Sequence, residues 1–185
     1  MKLSQIKPEQ LYFLIGLTLF AVLMRFAPHL YNVTPITAIA LLSGFHFRRP
    51  GLAALIPVLA MFFSDLLLGF HSTMLFVYLP LVSIVFLGHA LRALKPESEV
   101  PVKESLGFAF IGALIFFFVS NFGVWATQSF YAPNLSGLIS CFIAGLPFFE
   151  RSLLGDLMFT ALLFSVYSLA CDRFPKLKCE AYHGR

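Results

Sequence analysis

The sequence predicts an all-α, polytopic membrane protein, and three observations carry that prediction: scarce charge, high hydrophobicity and a succession of apolar segments near bilayer length. Of 185 residues, 59% are hydrophobic and 12% charged, against about 25% charged in a soluble domain, whose surface must be hydrated. Mean hydropathy is +0.86. Half the usual charge leaves too little polar surface to face water, so the exterior must face lipid, and the 23 phenylalanines suit that role. The net charge of +4 is not a nucleic-acid footprint, because the basic residues fall between apolar runs rather than along a stripe. It bears on topology and on lipid headgroups instead. Cys141, Cys171 and Cys179 form no C-x-x-C pair and have no metal-ligand spacing, so neither a disulfide framework nor a metal or other cofactor is expected.

Six apolar stretches are read as spans, at 10–27, 34–47, 51–70, 73–93, 105–128 and 152–171, in a single membrane domain covering residues 1–185. Most approach the ~20 residues needed to cross a hydrocarbon core of about 30 Å. Lys2 and Lys7 precede the first stretch as in a signal peptide. Arg25-Phe26-Ala27-Pro28 follows it in place of a small-residue cleavage site, so it is read as the first span. Thr34-Pro35 reads as a helix start, with a capping hydroxyl and proline at the first helical position. Pro50-Gly51 reads as a tight turn after Arg48-Arg49, Pro80 as a kink in the fourth span, and Pro96 and Pro101 as brackets around a charged loop.

Two stretches are short, Thr34–Phe47 and an additional one from Ser136 to Phe149. Each is about 20 Å as a helix. If the first crosses and the second does not, 11 basic residues lie on one side and only Arg25 and Arg151 on the other. The positive-inside rule then puts both termini in the cytoplasm, in a cytoplasmic (inner) membrane. Ser136–Phe149 becomes a short re-entrant or interfacial helix on the outer face.

On that topology the polar residues gather in the outer half. Arg25 and His29 end the first span, followed by Tyr31, Asn32 and Thr34; Ser64 and Asp65 lie late in the third; Glu150, Arg151 and Asp156 open the sixth. Asn121, Trp125 and Gln128, at i, i+4 and i+7, share one helix face that leads to Tyr131. An ionisable group inside a membrane costs roughly 2.5–3.5 kcal/mol, so it should face the bundle, a partner or a water-filled cavity. The cluster therefore marks a polar, aromatic-lined cavity that opens outward. Trp125 and Tyr131 would stack on a small solute, Asn121, Gln128 and Asn32 would hydrogen-bond it, and Arg25, Asp65 and Arg151 would match its charge. Plainer roles exist for each: Arg25 and Arg151 snorkelling, Asp65 pairing with Arg25 to hold two helices together, Trp125 and Tyr131 in an aromatic belt, Asn121 bonded to neighbouring backbone. Hydrolase, zinc-protease and phosphate-loop motifs are missing, so no enzymatic activity is expected.

Asn32-Val33-Thr34-Pro35, Phe63-Ser64-Asp65 with Gly69, Ser120-Asn121-Phe122-Gly123-Val124-Trp125 with Tyr131, and Gly145-Leu146-Pro147-Phe148-Phe149 together resemble an uncharacterised family of small bacterial membrane proteins. In size and six-span layout that family is similar to the substrate-binding S components of energy-coupling factor transporters. The resemblance implies an S-component-like bundle that takes up a vitamin-like micronutrient from outside and docks on an energising membrane/ATPase module, or acts as a solitary carrier. An A-x-x-x-A docking stripe is common on the first helix of such components; here only Gly16 and Ala21 stand there, out of that register. Ala40/Gly44 and Ala109/Ala113 are small pairs suited to helix packing. The reading from another class is a non-transporting scaffold or assembly protein whose polar residues only lock the bundle.

Overall fold

The computed structural model describes residues 8–26, 33–94 and 100–174, and these form six helices with no strand among them. They are α1 (Pro8–Phe26), α2 (Ile36–His46), α3 (Pro50–Leu68), α4 (Leu75–Leu94), α5 (Val102–Thr127) and α6 (Leu135–Arg173). Four of them, α3 to α6, are long and apolar enough to cross a membrane. The exterior is as apolar as the composition demands: Phe62, Phe63, Leu66, Leu67, Leu162 and Leu169 are all exposed.

The bundle is built around its shortest helix. Every residue of α2 is buried, and α1, α3, α4, α5 and α6 all pack against it, each of them also touching its neighbour in that order. At 11 residues it is about 16 Å long, half a hydrocarbon core. It therefore differs from the full crossing read from Thr34–Phe47; being surrounded by protein, it has no lipid thickness to match. Close packing at the centre depends on missing side chains. A methyl group on Gly44 would overlap the Val85 carbonyl oxygen, and one on Gly88 the Leu41 carbonyl oxygen. Gly44 of the Ala40/Gly44 pair thus works as a helix-packing position, with Gly88 of α4 facing it.

Local starts and stops differ from the sequence reading in three places. Pro35 itself is the N-cap of α2 and no side chain caps it; its carbonyl accepts from Ile39 N at 2.9 Å, which leaves the Thr34 hydroxyl uncommitted to the helix start. Pro50 is the first residue of α3, with Arg49 as cap, so the turn is made by Phe47, Arg48 and Arg49 rather than Pro50-Gly51. Proline suits that first position because its missing N–H is one the helix would leave unbonded anyway. The third difference is the largest. Ser136–Phe149 is not a separate re-entrant element but the first part of α6, a continuous helix of 39 residues with Pro147 in its interior. Asn134 caps it, its Oδ1 accepting from Gly137 N at 2.9 Å.

At the C-terminal end of α2 lies a second polar group. Arg92 of α4, itself buried, donates to the His46 and Phe45 carbonyls at 2.9 and 3.3 Å, satisfying acceptors that a helix end leaves open. His46 Nδ1 and the Tyr167 hydroxyl share a hydrogen bond of 2.7 Å, enclosed by the rings of Phe13 and Phe47.

Candidate functional site

Around the other end of α2, where α1 finishes, the helices part to leave a cavity of about 350 Å³. Each wall follows from helical spacing. From α5 it takes Ala113, Phe116, Phe117, Ser120 and Asn121; from α6, Gly145, Phe148, Phe149, Ser152 and Asp156. Arg25 closes one side from α1 and Met61 from α3, while Val77 comes from α4 and Thr34, Ile36 and Thr37 from the start of α2. Apolar walls with a few convergent polar groups are the usual constitution of a small-molecule site.

Two of the charged groups are already committed to each other. Arg25 Nη2 donates to Asp65 Oδ1 at 3.1 Å, and the Tyr78 hydroxyl donates to Asp65 Oδ2 at 2.9 Å. Arg25 Nη1 rests 3.1 Å from Met61 Sδ, a weak acceptor. Asp65 thereby joins α1, α3 and α4 from behind the cavity wall and does not line it. Asp156 differs: it is 5% exposed, lines the cavity, and accepts a hydrogen bond from Thr37. Asn121 Nδ2 donates to the Phe117 carbonyl at 2.8 Å, and its amide lies so close to α6 that a Cβ on Gly145 would stand 2.5 Å from Oδ1. Glycine at 145 is what lets the amide sit between the two helices. Cys141 Sγ approaches the Asn121 carbonyl at 3.4 Å.

The residues named from sequence divide accordingly. Arg25 and Asn121 are brought together at the cavity, with Asp65 directly behind Arg25. Trp125, Gln128, Tyr131 and Arg151 do not line it. Trp125 Nε1 donates to the Ala132 carbonyl at 3.0 Å, and Gln128 Nε2 donates to Ser72 Oγ at 2.8 Å, so both fasten the connection between α5 and α6. Tyr131 lies within that connection and Arg151 is exposed on α6, one position off the lining face. Asn32 lies outside the described residues. Asp156, placed in the outer polar cluster but given no role towards a solute, lines the cavity, and Thr37, Ser120 and Ser152 line it without having been named for it. The detectable signal was Gly145, Phe149, Ser152 and Asp156 at helical spacing, masked by reading residues 136–149 and 152–171 as two elements. Among the described residues no group of His, Cys, Asp and Glu could hold a metal ion.

The fold and site define a class: an all-helical membrane-type bundle with a polar cavity between its helices. A family model described as a family of unknown function (DUF6580) matches residues 5–177, and the chain belongs to that family. It matches no curated protein and no solved structure.

Proposed function

We propose that the protein binds a small solute in this cavity and carries it across the cytoplasmic membrane, as an S-component-like substrate-binding subunit or as a solitary carrier. The observation that carries the proposal is the cavity of about 350 Å³, within the ~300–1,000 Å³ of small-molecule sites, with Arg25, Asn121 and Asp156 turned towards one volume between phenylalanines. In this reading the chain crosses six times with both termini in the cytoplasm, as the 11-to-2 distribution of basic residues favours, and the cavity lies in the outer half. The brevity of α2 is compatible with that topology, because non-helical backbone is tolerated at membrane depth where protein encloses it. Uptake then draws on an energising module or on a gradient.

Purified protein in mild detergent, titrated with vitamins and nucleobase-like compounds, should give a saturable rise in melting temperature with one chemical class. Asn121→Ala should remove the response, and vesicles containing the protein should accumulate the same compound. A broad panel with no response would favour the scaffold reading, which has its own support in the pairing of both Asp65 carboxylate oxygens, one with Arg25 and one with Tyr78.

A further inference from the structure

The cavity's charges favour one sign of solute. Arg25 is the cation on its wall, but that charge is compensated at 3.1 Å by Asp65. Asp156 is the carboxyl group on its wall, and no basic side chain among the described residues is paired with it; its partner is the neutral Thr37 hydroxyl. Arg25 and Asp65 offset each other, which leaves the Asp156 carboxyl group, the one that faces the void, to decide which sign of charge the cavity accepts. A buried carboxylate without a counter-ion is costly in a low-dielectric interior. A cation entering the cavity removes that cost, whereas an anion would add to it and would meet only a guanidinium whose charge Asp65 already offsets, with Nε as its one open donor among the described residues. The remaining wall points the same way. Phe116, Phe117, Phe148 and Phe149 line the same volume, with the rings of Phe117 and Phe149 4.9 Å apart, and the negative face of an aromatic ring attracts ammonium groups.

We propose that the solute is a small organic cation whose charged nitrogen is met by Asp156 and whose body rests on the four phenylalanine rings. This rests on the solute-binding reading above and gives that solute its chemical class.

Three probes sharing one ring decide it: benzyltrimethylammonium, benzyl alcohol and benzoate, titrated calorimetrically into the purified full chain in a neutral detergent. The ammonium should bind about tenfold more tightly than the alcohol, equivalent to about 1.4 kcal/mol, with benzoate weakest. Asp156→Asn keeps the shape and an acceptor for Thr37; it should reduce the ammonium preference to within about twofold while the alcohol's affinity is retained. Phe149→Leu, which keeps an apolar wall but removes a ring, should weaken the ammonium more than the alcohol. The rank order in the unsubstituted protein decides the sign of the charge even if Asp156→Asn does not fold. Benzoate binding tightest, equal binding of all three, or an ammonium preference that survives Asp156→Asn would overturn the assignment to a cation and leave the cavity as a binding site. Absence of binding by every probe would remove the binding reading as well.

Discussion

Replacing Arg25 by methionine keeps an apolar stem of similar reach and deletes only the guanidinium. What remains is Asp65, 1% exposed, with the Tyr78 hydroxyl as its sole polar partner. Removing one member of a fully buried pair costs about 3–5 kcal/mol. Arg25 is itself 21% exposed, so water already screens part of the interaction, and about 2–3 kcal/mol is the appropriate expectation. Asp65→Asn leaves the guanidinium with a neutral acceptor and a route to solvent, costing about 1–2 kcal/mol. The double variant should be far from additive, because each single change strands a group that the other also removes; a coupling of about 1–2 kcal/mol is expected. For a chain of this size each kcal/mol shifts the melting temperature by about 2–4 °C. Arg25→Met should therefore lower it by about 5–10 °C, and Arg25→Met/Asp65→Asn should fall within a few degrees of that single variant. Melting curves of the four proteins in one detergent supply the cycle. Additive losses would refute the reasoning, since they would mean that the two side chains do not depend on each other.

The α2–α4 crossing and the α5–α6 connection are equally open to test. Gly88→Ala pushes a methyl group into the Leu41 carbonyl and to 2.8 Å from Phe45 N. Backbone atoms cannot rotate away, so a loss of about 2–3 kcal/mol is expected; Gly107→Ala on α5, where nothing lies within 4 Å, should be neutral or slightly stabilising, and equal melting temperatures for the two would contradict the crossing. Gln128→Ala breaks only the exposed bond to Ser72. It should cost under about 1 kcal/mol and leave the affinity of any cavity solute within about twofold, whereas a loss matching that of Asn121→Ala would extend the site to the connection.

The helical, lipid-facing character of the chain was legible because it rests on bulk quantities: charge density and the length of apolar runs act over tens of residues and do not depend on which helix meets which. The partnership of Arg25 with Asp65, 40 positions apart, was legible as one option for a related reason, since two opposite charges in apolar surroundings have few other ways to be satisfied. The location of the cavity was less so. Asn121, Trp125 and Gln128 do share a helical stripe, but the stripe can be followed in two directions. Towards Gln128 it reaches the connection to α6; towards Phe117 and Ala113 it enters the bundle. Only the packing of α6 against α5 decides between them, and that packing was obscured because the short length of 136–149 and the balance of basic residues set it apart from 152–171, with Pro147 and the Glu150-Arg151 pair near the junction. A proline removes one backbone bond and the two charges can point outward, so the helix continues through both. The central position of α2 was also hidden, because an 11-residue apolar segment reads the same whether lipid or protein surrounds it.

The continuity of α6 has a mechanical consequence. Gly145, Phe149, Ser152 and Asp156 form one wall of the cavity, and 11 residues beyond Asp156 the same rod presents Tyr167 to His46, about 16 Å further along its axis. No loop lies between the two stations to absorb a displacement, and the single weak joint, Pro147, sits within the cavity wall, on the far side of Asp156 from Tyr167. A load on this wall beyond the joint would therefore pass along one continuous helix whose other end holds the tip of the central helix. Under the proposed function, the wall that meets the solute and the hydroxyl that holds His46 would be two stations on one uninterrupted helix.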